Sequence, residues 1–422
     1  MRKFHVKRIL GTALVAAWGI SLVVVLLQTL HKASRPQGSD LMAYLGAARA
    51  LLAGQDPYVI TGRFYYMYPL PLAVLTIPLT FLPWKVAVTL WFLASVAALM
   101  WGAGVLAEVA AEHLHLEVGP RLDRWALGAT LWFLLFDPIQ NDLVNGQINF
   151  PVLLMCLLFL RALLRGRDVK AAVFLSAAVS IKMTPALFLA FAAIRRRWGV
   201  VAVTVAATIA LWLSPLPLVG RDLLRDYGTL FGYVLPFAAQ GLFPAPHGVA
   251  FSMNRVVSPL LGGWASPVWG RALAAGLPLT ALALLEMAGN RGRSPGRDAW
   301  IFTAYLLVIL LATPFSEVHH LAYLAPAAGL IGLFAVSRGG RARRVTAGGL
   351  VVFGTLLWGG RLDRSGPFFF LAIILLLGLV SAVVLGWREP VLPPGERREN
   401  RSVDHAARSR PDAIGAPPEE GR

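Results

Sequence analysis

Asp40, in Gly38-Ser39-Asp40-Leu41-Met42, opens a stretch in which Leu41, Tyr44, Leu45, Ala48, Leu51 and Leu52 recur at three- and four-residue spacing. That spacing predicts an amphipathic helix lying along a membrane surface and stopped by Gly54. A carboxylate in its first turn can cap the helix, as can Ser39, or can take a proton from a hydroxyl as a general base. The two roles are compatible. Further on, residues 137–149 hold three Asn, two Gln and two Asp in 13 positions between apolar runs. Amides there, Asn145, Gln147 and Asn149 among them, either satisfy backbone groups at a turn or hydrogen-bond the hydroxyls of a sugar. Lys182 stands between Val179-Ser180-Ile181 and Met183-Thr184-Pro185, about a dozen residues from the basic flanks at Lys170 and Arg195. Snorkelling is hard from there, and a buried ammonium beside a proline break suits the phosphate of a lipid-linked substrate.

The last polar cluster is Ser316-Glu317-Val318-His319-His320. Neighbouring side chains on a helix diverge by about 100°, so the two histidines are poor joint ligands and Glu317 with His320 is the better pair. No H-E-x-x-H pattern occurs, so the expectation is one functional His facing a cavity, the other serving structure, and no metal. Gln55-Asp56-Pro57-Tyr58 reads as a turn. The aromatic run around Tyr65, Tyr66 and Tyr68 reads as interfacial anchors or, alternatively, as a platform for a sugar ring. Residues 69–82, with Pro69, Pro71 and Pro78, suit a short interfacial helix. Arg221, Asp222, Arg225, Asp226, His247, Asn254 and Arg255 fall in a polar stretch, 218–266, that reads as a solvated loop. Cys156, the single cysteine, sits in an apolar run and reads as core packing.

The elements that must position these groups follow from composition. Of 422 residues 57% are hydrophobic and 14% charged, against about 25% charged in soluble domains. Apolar runs recur at about 9–30, 86–108, 125–137, 149–164, 171–182, 185–194, 199–217, 267–288, 298–312, 319–336, 345–359 and 367–387. They predict an all-α, polytopic bundle of about 12 spans, with 125–137, 171–182 and 185–194 shorter than the roughly 20 residues of a straight crossing. The pair around Lys182 is either two thin spans or one re-entrant hairpin. The first run is too long for a signal-peptide core and reads as a retained span. With the amino terminus inside, 27 of the 39 Lys and Arg residues fall in inner segments and 12 in outer ones. That asymmetry places both termini in the cytoplasm and the polar clusters on the outer face. The formal charge of +17 therefore marks topology rather than nucleic acid. Residues 1–387 form the membrane domain, and the Pro-, Arg- and Glu-rich stretch 388–422 reads as a disordered cytoplasmic tail. No internal repeat is visible, and no glycine-rich phosphate loop or cytosolic nucleotide-binding domain is present.

In order along the chain, Ser39-Asp40, Gly54-Gln55-Asp56-Pro57-Tyr58, Tyr68-Pro69-Leu70, Pro78-Leu79, Asn145-Gly146-Gln147-Ile148-Asn149, Lys182-Met183-Thr184-Pro185 and Thr313-Pro314 through His319-His320 resemble glycosyltransferase family 87. The resemblance spans about residues 38–325. It implies the GT-C fold, with extracytoplasmic interfacial helices between the first two spans, and transfer of a hexose, mannose above all, from a polyprenyl-phosphate donor. The acceptor would be a hydroxyl of a glycolipid or glycan at the outer face of the cell membrane. On that resemblance Asp40 is the general base, Lys182 with His320 and His319 meets the donor phosphate, and Asn145, Gln147 and Asn149 orient the sugar. Tyr44, Asp56, Tyr68, Glu317, Asn254 and Arg255 fall on the acceptor side. One base and one displacement imply inversion at the anomeric carbon. No cofactor is implied, and a divalent-cation requirement stays open. The rival from another class is a transporter or lipid flippase, which Lys182 beside a broken helix would suit but the absence of repeats does not.

Overall fold

The structure is a computed structural model that describes residues 2–35, 38–59, 65–116, 136–239, 267–289, 294–313, 316–337, 340–363 and 366–386. Every element among them is a helix. In chain order these are α1 (Arg2–Ala33), α2 (Leu41–Leu52), α3 (Leu70–Thr76) running into a 3-10 turn (Ile77–Phe81), α4 (Trp84–Leu114), α5 (Asp137–Asn145), α6 (Asn149–Leu164) and α7 (Asp168–Ile181). A 3-10 turn (Thr184–Ala186) leads into α8 (Leu187–Ile194), followed by α9 (Trp198–Leu213), α10 (Leu216–Val219), α11 (Asp222–Thr229), a π turn (Leu230–Val234) and α12 (Leu235–Ala239). The remainder is α13 (Pro267–Gly289), α14 (Pro295–Ala312), a 3-10 helix (Val318–Leu324) entering α15 (Ala325–Ser337), α16 (Gly340–Asp363) and α17 (Gly366–Gly386).

Eight of these helical stretches are long and apolar enough to cross a membrane, or nine if α5 and α6, bent by 117°, count as one broken span. The chain is a multi-pass membrane protein. The expectation of about 12 spans included 125–137, of which 125–135 lie outside the described residues, and the two legs around Lys182. Those legs are a 14-residue helix and an eight-residue helix led by one 3-10 turn, each shorter than a crossing. The tail 388–422 also lies outside the described residues.

Helix α14 is the axis of the core: Trp300, Phe302, Tyr305, Leu307 and Leu310 on it are all buried. Phe188 of α8 stacks on Phe302 with ring centroids 4.5 Å apart, and Phe159 of α6 and Phe191 close the same cluster. Lipid is as apolar as these side chains, so close van der Waals packing, not release of water, holds such a cluster together. Outward-facing Val15, Ile20, Leu27, Trp101 and Val351 are exposed, as a lipid-contacting surface requires.

Ion pairs mark one end of the bundle. Arg161 of α6 and Arg165, just after it, pair with Glu108 and Glu112 of α4. Arg195, after α8, pairs with Glu286 of α13 at 2.9 Å and Asp298 of α14 at 2.7 Å, with Arg195 and Glu286 each 6% exposed. Helices α6, α7 and α14 run back from this end, and Asn149, Lys182 and Thr313 stand at their far ends.

Candidate active site

The sequence predicts α2 within a residue, and of its predicted apolar face Leu41, Tyr44, Leu45, Ala48 and Leu51 are buried while Leu52, at the helix end, is exposed. Asp40 occupies the N-cap position, yet its side chain makes no capping bond. Instead Asp40 Oδ2 accepts a 2.5 Å hydrogen bond from Gln147 Nε2. The backbone fastens the two loops beside it, with Asp40 N–H donating to Asn145 C=O at 2.9 Å. This close approach depends on Gly146, which ends α5 in the left-handed region (φ +65°). A β-carbon there would lie 3.4 Å from Leu41 Cβ and Ser39 Oγ. Trp91 Nε1 of α4 ties down the same glycine's carbonyl at 2.9 Å.

Gln147 is itself held. Tyr44 donates its hydroxyl to Gln147 Oε1 at 3.3 Å, with the Tyr68 hydroxyl 3.5 Å away. The Tyr44 and Tyr68 rings meet edge to face with centroids 5.3 Å apart, and Tyr44 also leans on Trp91. Tyr68 thus supports Gln147 through Tyr44, closer to a structural role than to an exposed platform. Asp56 makes a turn as predicted: its Oδ1 accepts the Tyr58 N–H at 2.8 Å, and the Tyr58 hydroxyl reaches Tyr68 C=O at 2.9 Å. It shapes the loop that carries Tyr68.

Asn149 starts α6 as a fully buried amide. Its Nδ2 donates to Asp142 Oδ2 at 2.7 Å and lies 3.3 Å from His319 C=O, while its Oδ1 accepts Lys182 Nζ at 2.6 Å. Lys182 sits at the tip of the α7–α8 hairpin in extended backbone (φ −144°, ψ 123°). Pro185 has no N–H for the Ile181 carbonyl, so α7 cannot run on through it. The ammonium is buried, 8% exposed, about 6 Å from the ring centres of Tyr68 and Tyr323. It lines a small cavity with Thr184, Thr313, Ser316, His320 and Tyr323.

Glu317 pairs with His320 as expected, and with His319 as well. Glu317 caps the 3-10 helix: its N–H donates to His320 Nδ1 at 2.9 Å, and its carboxylate lies 3.4 Å from His319 Nδ1. With three residues per turn, positions three apart eclipse, so Glu317 and His320 close a reciprocal cap, each side chain meeting the other's backbone N–H, and the carboxylate also lies against His319. Of the two histidines, His320 is the one that lines the cavity. Among the described residues no three His, Cys, Asp or Glu side chains form a group able to hold a metal ion. Asn254 and Arg255 lie outside the described residues.

Two residues join the site that the sequence did not single out. Lys32, at the end of α1, hydrogen-bonds Asn145 Oδ1 and its charge reaches Asp40. Asp142, one of the polar residues of 137–149, is fully buried beside Asn149. The electrostatics follow. Burial pushes the Asp40 carboxyl up to about 6, with Lys32 and the Gln147 hydrogen bond opposing the rise. Burial, with Asp40 nearby, pushes Glu317 up to about 7. A carboxylate titrating near 6 is mostly ionised at neutral pH while remaining basic enough to take a proton in a transition state.

A buried carboxylate, a chain of amides and a buried ammonium at one end of a membrane-embedded bundle define a polytopic membrane protein with a polar site suited to group transfer. The chain belongs to glycosyltransferase family 87, whose family model matches residues 66–314. It is therefore a membrane glycosyltransferase. The match ends short of Asp40 on one side and of His319 on the other. Among curated proteins it is similar to a polyprenol-phosphate-mannose-dependent alpha-(1-2)-phosphatidylinositol pentamannoside mannosyltransferase of Mycolicibacterium smegmatis, 27% identical over 304 residues, covering 68% of this chain and 67% of that one. No solved structure matches the chain significantly.

Proposed function

We propose that this protein transfers a mannosyl group from a polyprenyl-phosphate donor to a hydroxyl of a glycolipid or glycan, at the extracytoplasmic face, with inversion. The observation that carries the reading is the Asp40 carboxylate, turned away from its own helix and aimed by Gln147. Asp40 takes the proton of the acceptor hydroxyl as that oxygen attacks the anomeric carbon. The bond from that carbon to the phosphate oxygen breaks, and its electron pair leaves with the polyprenyl phosphate. A phosphate leaving group needs no general acid. Lys182 and His320, on the cavity wall, stabilise its charge as it develops. Asn149, Gln147 and Asn145 stand behind these groups, their amides engaged with Lys182, Asp40 and Lys32.

The outer-face assignment rests on the basic residues at the far end, where Arg161, Arg165 and Arg195–Arg197 gather away from the site. The mannose donor is supported by the mycobacterial relative's substrate. Radiolabelled polyprenyl-phosphate-mannose incubated with membranes holding wild type or Asp40→Asn tests the reading. A lipid-extractable mannosylated product from wild type alone is the expected result; equal product from Asp40→Asn removes the base assignment.

A further inference from the structure

We propose that Asp142 is the resident counter-ion of Lys182, coupled to it through the side-chain amide of Asn149, and that this indirect pairing leaves the ammonium free to meet the donor phosphate. The inference rests on the reading of Lys182 as the phosphate-facing group and adds to it the residue that holds that charge before the donor arrives.

Asp142 is 0% exposed, and its Oδ1 has no hydrogen-bond partner among the described residues. An apolar interior charges heavily for a carboxylate with one hydrogen bond, and a cation nearby is the usual compensation. The charges that reach Asp142 are the Lys182 cation and the Asp40 carboxylate. The route to Lys182 is a single amide: Asp142 Oδ2 accepts Asn149 Nδ2 at 2.7 Å, and Asn149 Oδ1 accepts Lys182 Nζ at 2.6 Å. Asn149 is polarised from both sides, its N–H toward an anion and its carbonyl toward a cation, which strengthens both bonds.

A direct ion pair would satisfy the ammonium and compete with phosphate. Here one of the three N–H groups of Lys182 is committed to Asn149, and the others remain for the cavity it lines with His320. The remaining groups that face Lys182 are Asp40, His319, His320 and the rings of Tyr68 and Tyr323. Asp142 and Asp40 are the anions among them. Asp40 already hydrogen-bonds Gln147 and lies near Lys32, so Asp142 is the carboxylate assigned to Lys182. Asp142 is thus a positioning residue that acts through another side chain.

The test measures the proton on Lys182 directly. Purified full-length protein is pulse-labelled with acetic anhydride across a pH series, and modification of Lys182 is read by mass spectrometry against exposed Lys170 as reference. In Asp142→Asn, which keeps an acceptor for Asn149, the Lys182 labelling midpoint should fall by about one pH unit while Lys170 does not move. An unchanged or raised midpoint overturns the proposal. If Asp142→Asn does not fold, Asp142→Ser decides instead: it removes the charge while keeping an oxygen for Asn149, the midpoint should fall by about the same amount, and an unmoved or raised one overturns the proposal. The measurement needs neither donor nor turnover. A chain that transfers no mannose would therefore fail the transfer assay and still answer this question.

Discussion

Gln147 and Asp40 meet at 2.5 Å across 107 residues of chain, and the carboxylate so held belongs to the N-cap residue of α2, where it makes no capping bond. Giving up a cap costs about 1 kcal/mol, so the orientation is maintained against a local preference. Gln147 can do this because Tyr44 holds its other end. Breaking the pair should release Asp40 to N–H groups of α2. Gln147→Leu is expected to lower kcat about tenfold or more, with a smaller change in donor KM, and steady-state transfer kinetics would separate the two. Wild-type kcat would show that Asp40 needs no aiming.

Asp40→Asn should lower transfer by about 10²–10⁴-fold, the usual worth of a positioned base, while donor binding persists. Binding of a labelled polyprenyl-phosphate sugar to the purified variant is the control that keeps misfolding from imitating the result.

Lys32 opposes the rise of the Asp40 carboxyl toward 6. Without that cation the carboxyl titrates higher. Lys32→Gln should therefore move the acid limb of the rate profile to higher pH, so that activity falls most below neutrality and recovers in mild alkali. A profile with an unmoved acid limb would mean that Lys32 serves Asn145 alone.

Lys182→Ala removes a charged hydrogen-bond donor from the cavity, an interaction of about 1.5–3 kcal/mol, or roughly tenfold to a hundredfold in donor use. Competition by free polyprenyl phosphate should weaken in parallel. A variant that loses turnover but still binds polyprenyl phosphate as well as wild type would contradict a phosphate role.

Gly146→Ala forces a β-carbon into the left-handed region at a cost of about 1–2 kcal/mol, close against Ser39 and Leu41. Thermal unfolding in detergent should shift down modestly. Transfer should drop further than that shift implies, because Asp40 and Gln147 are both anchored next to the same turn.

Local rules make much of this legible in the residues themselves. The three- and four-residue spacing from Leu41 to Leu51 defines the buried face of α2, and Pro185 explains why the chain breaks beside Lys182. The polar run 137–149 announces a site, but its residues look alike on paper. Only packing separates Asp142, fully buried, from Asp137, which pairs with Arg361 at 3.4 Å. Lys32 is hidden for a different reason: a lysine at the end of a span reads as a flank, and nothing local says that α1 sets it against Asn145. The Glu317 arrangement turns on helix type, since an α-helical reading of residues 317–320 pairs different atoms than the 3-10 turn does.

The hairpin bearing Lys182 has a further bearing on how two substrates share one site. Both legs start from the basic end, and a 14-residue helix rises only about 21 Å, against a hydrocarbon layer of about 30 Å. Its tip therefore stops short of a full crossing, and the ammonium lines a small cavity there with Thr184, Ser316 and His320. On the proposed function, a lipid-borne phosphate can come to that cavity sideways, out of the bilayer, without lifting its chain into water. A water-soluble sugar head can descend from above. On that reading neither reactant has to depart before the other arrives.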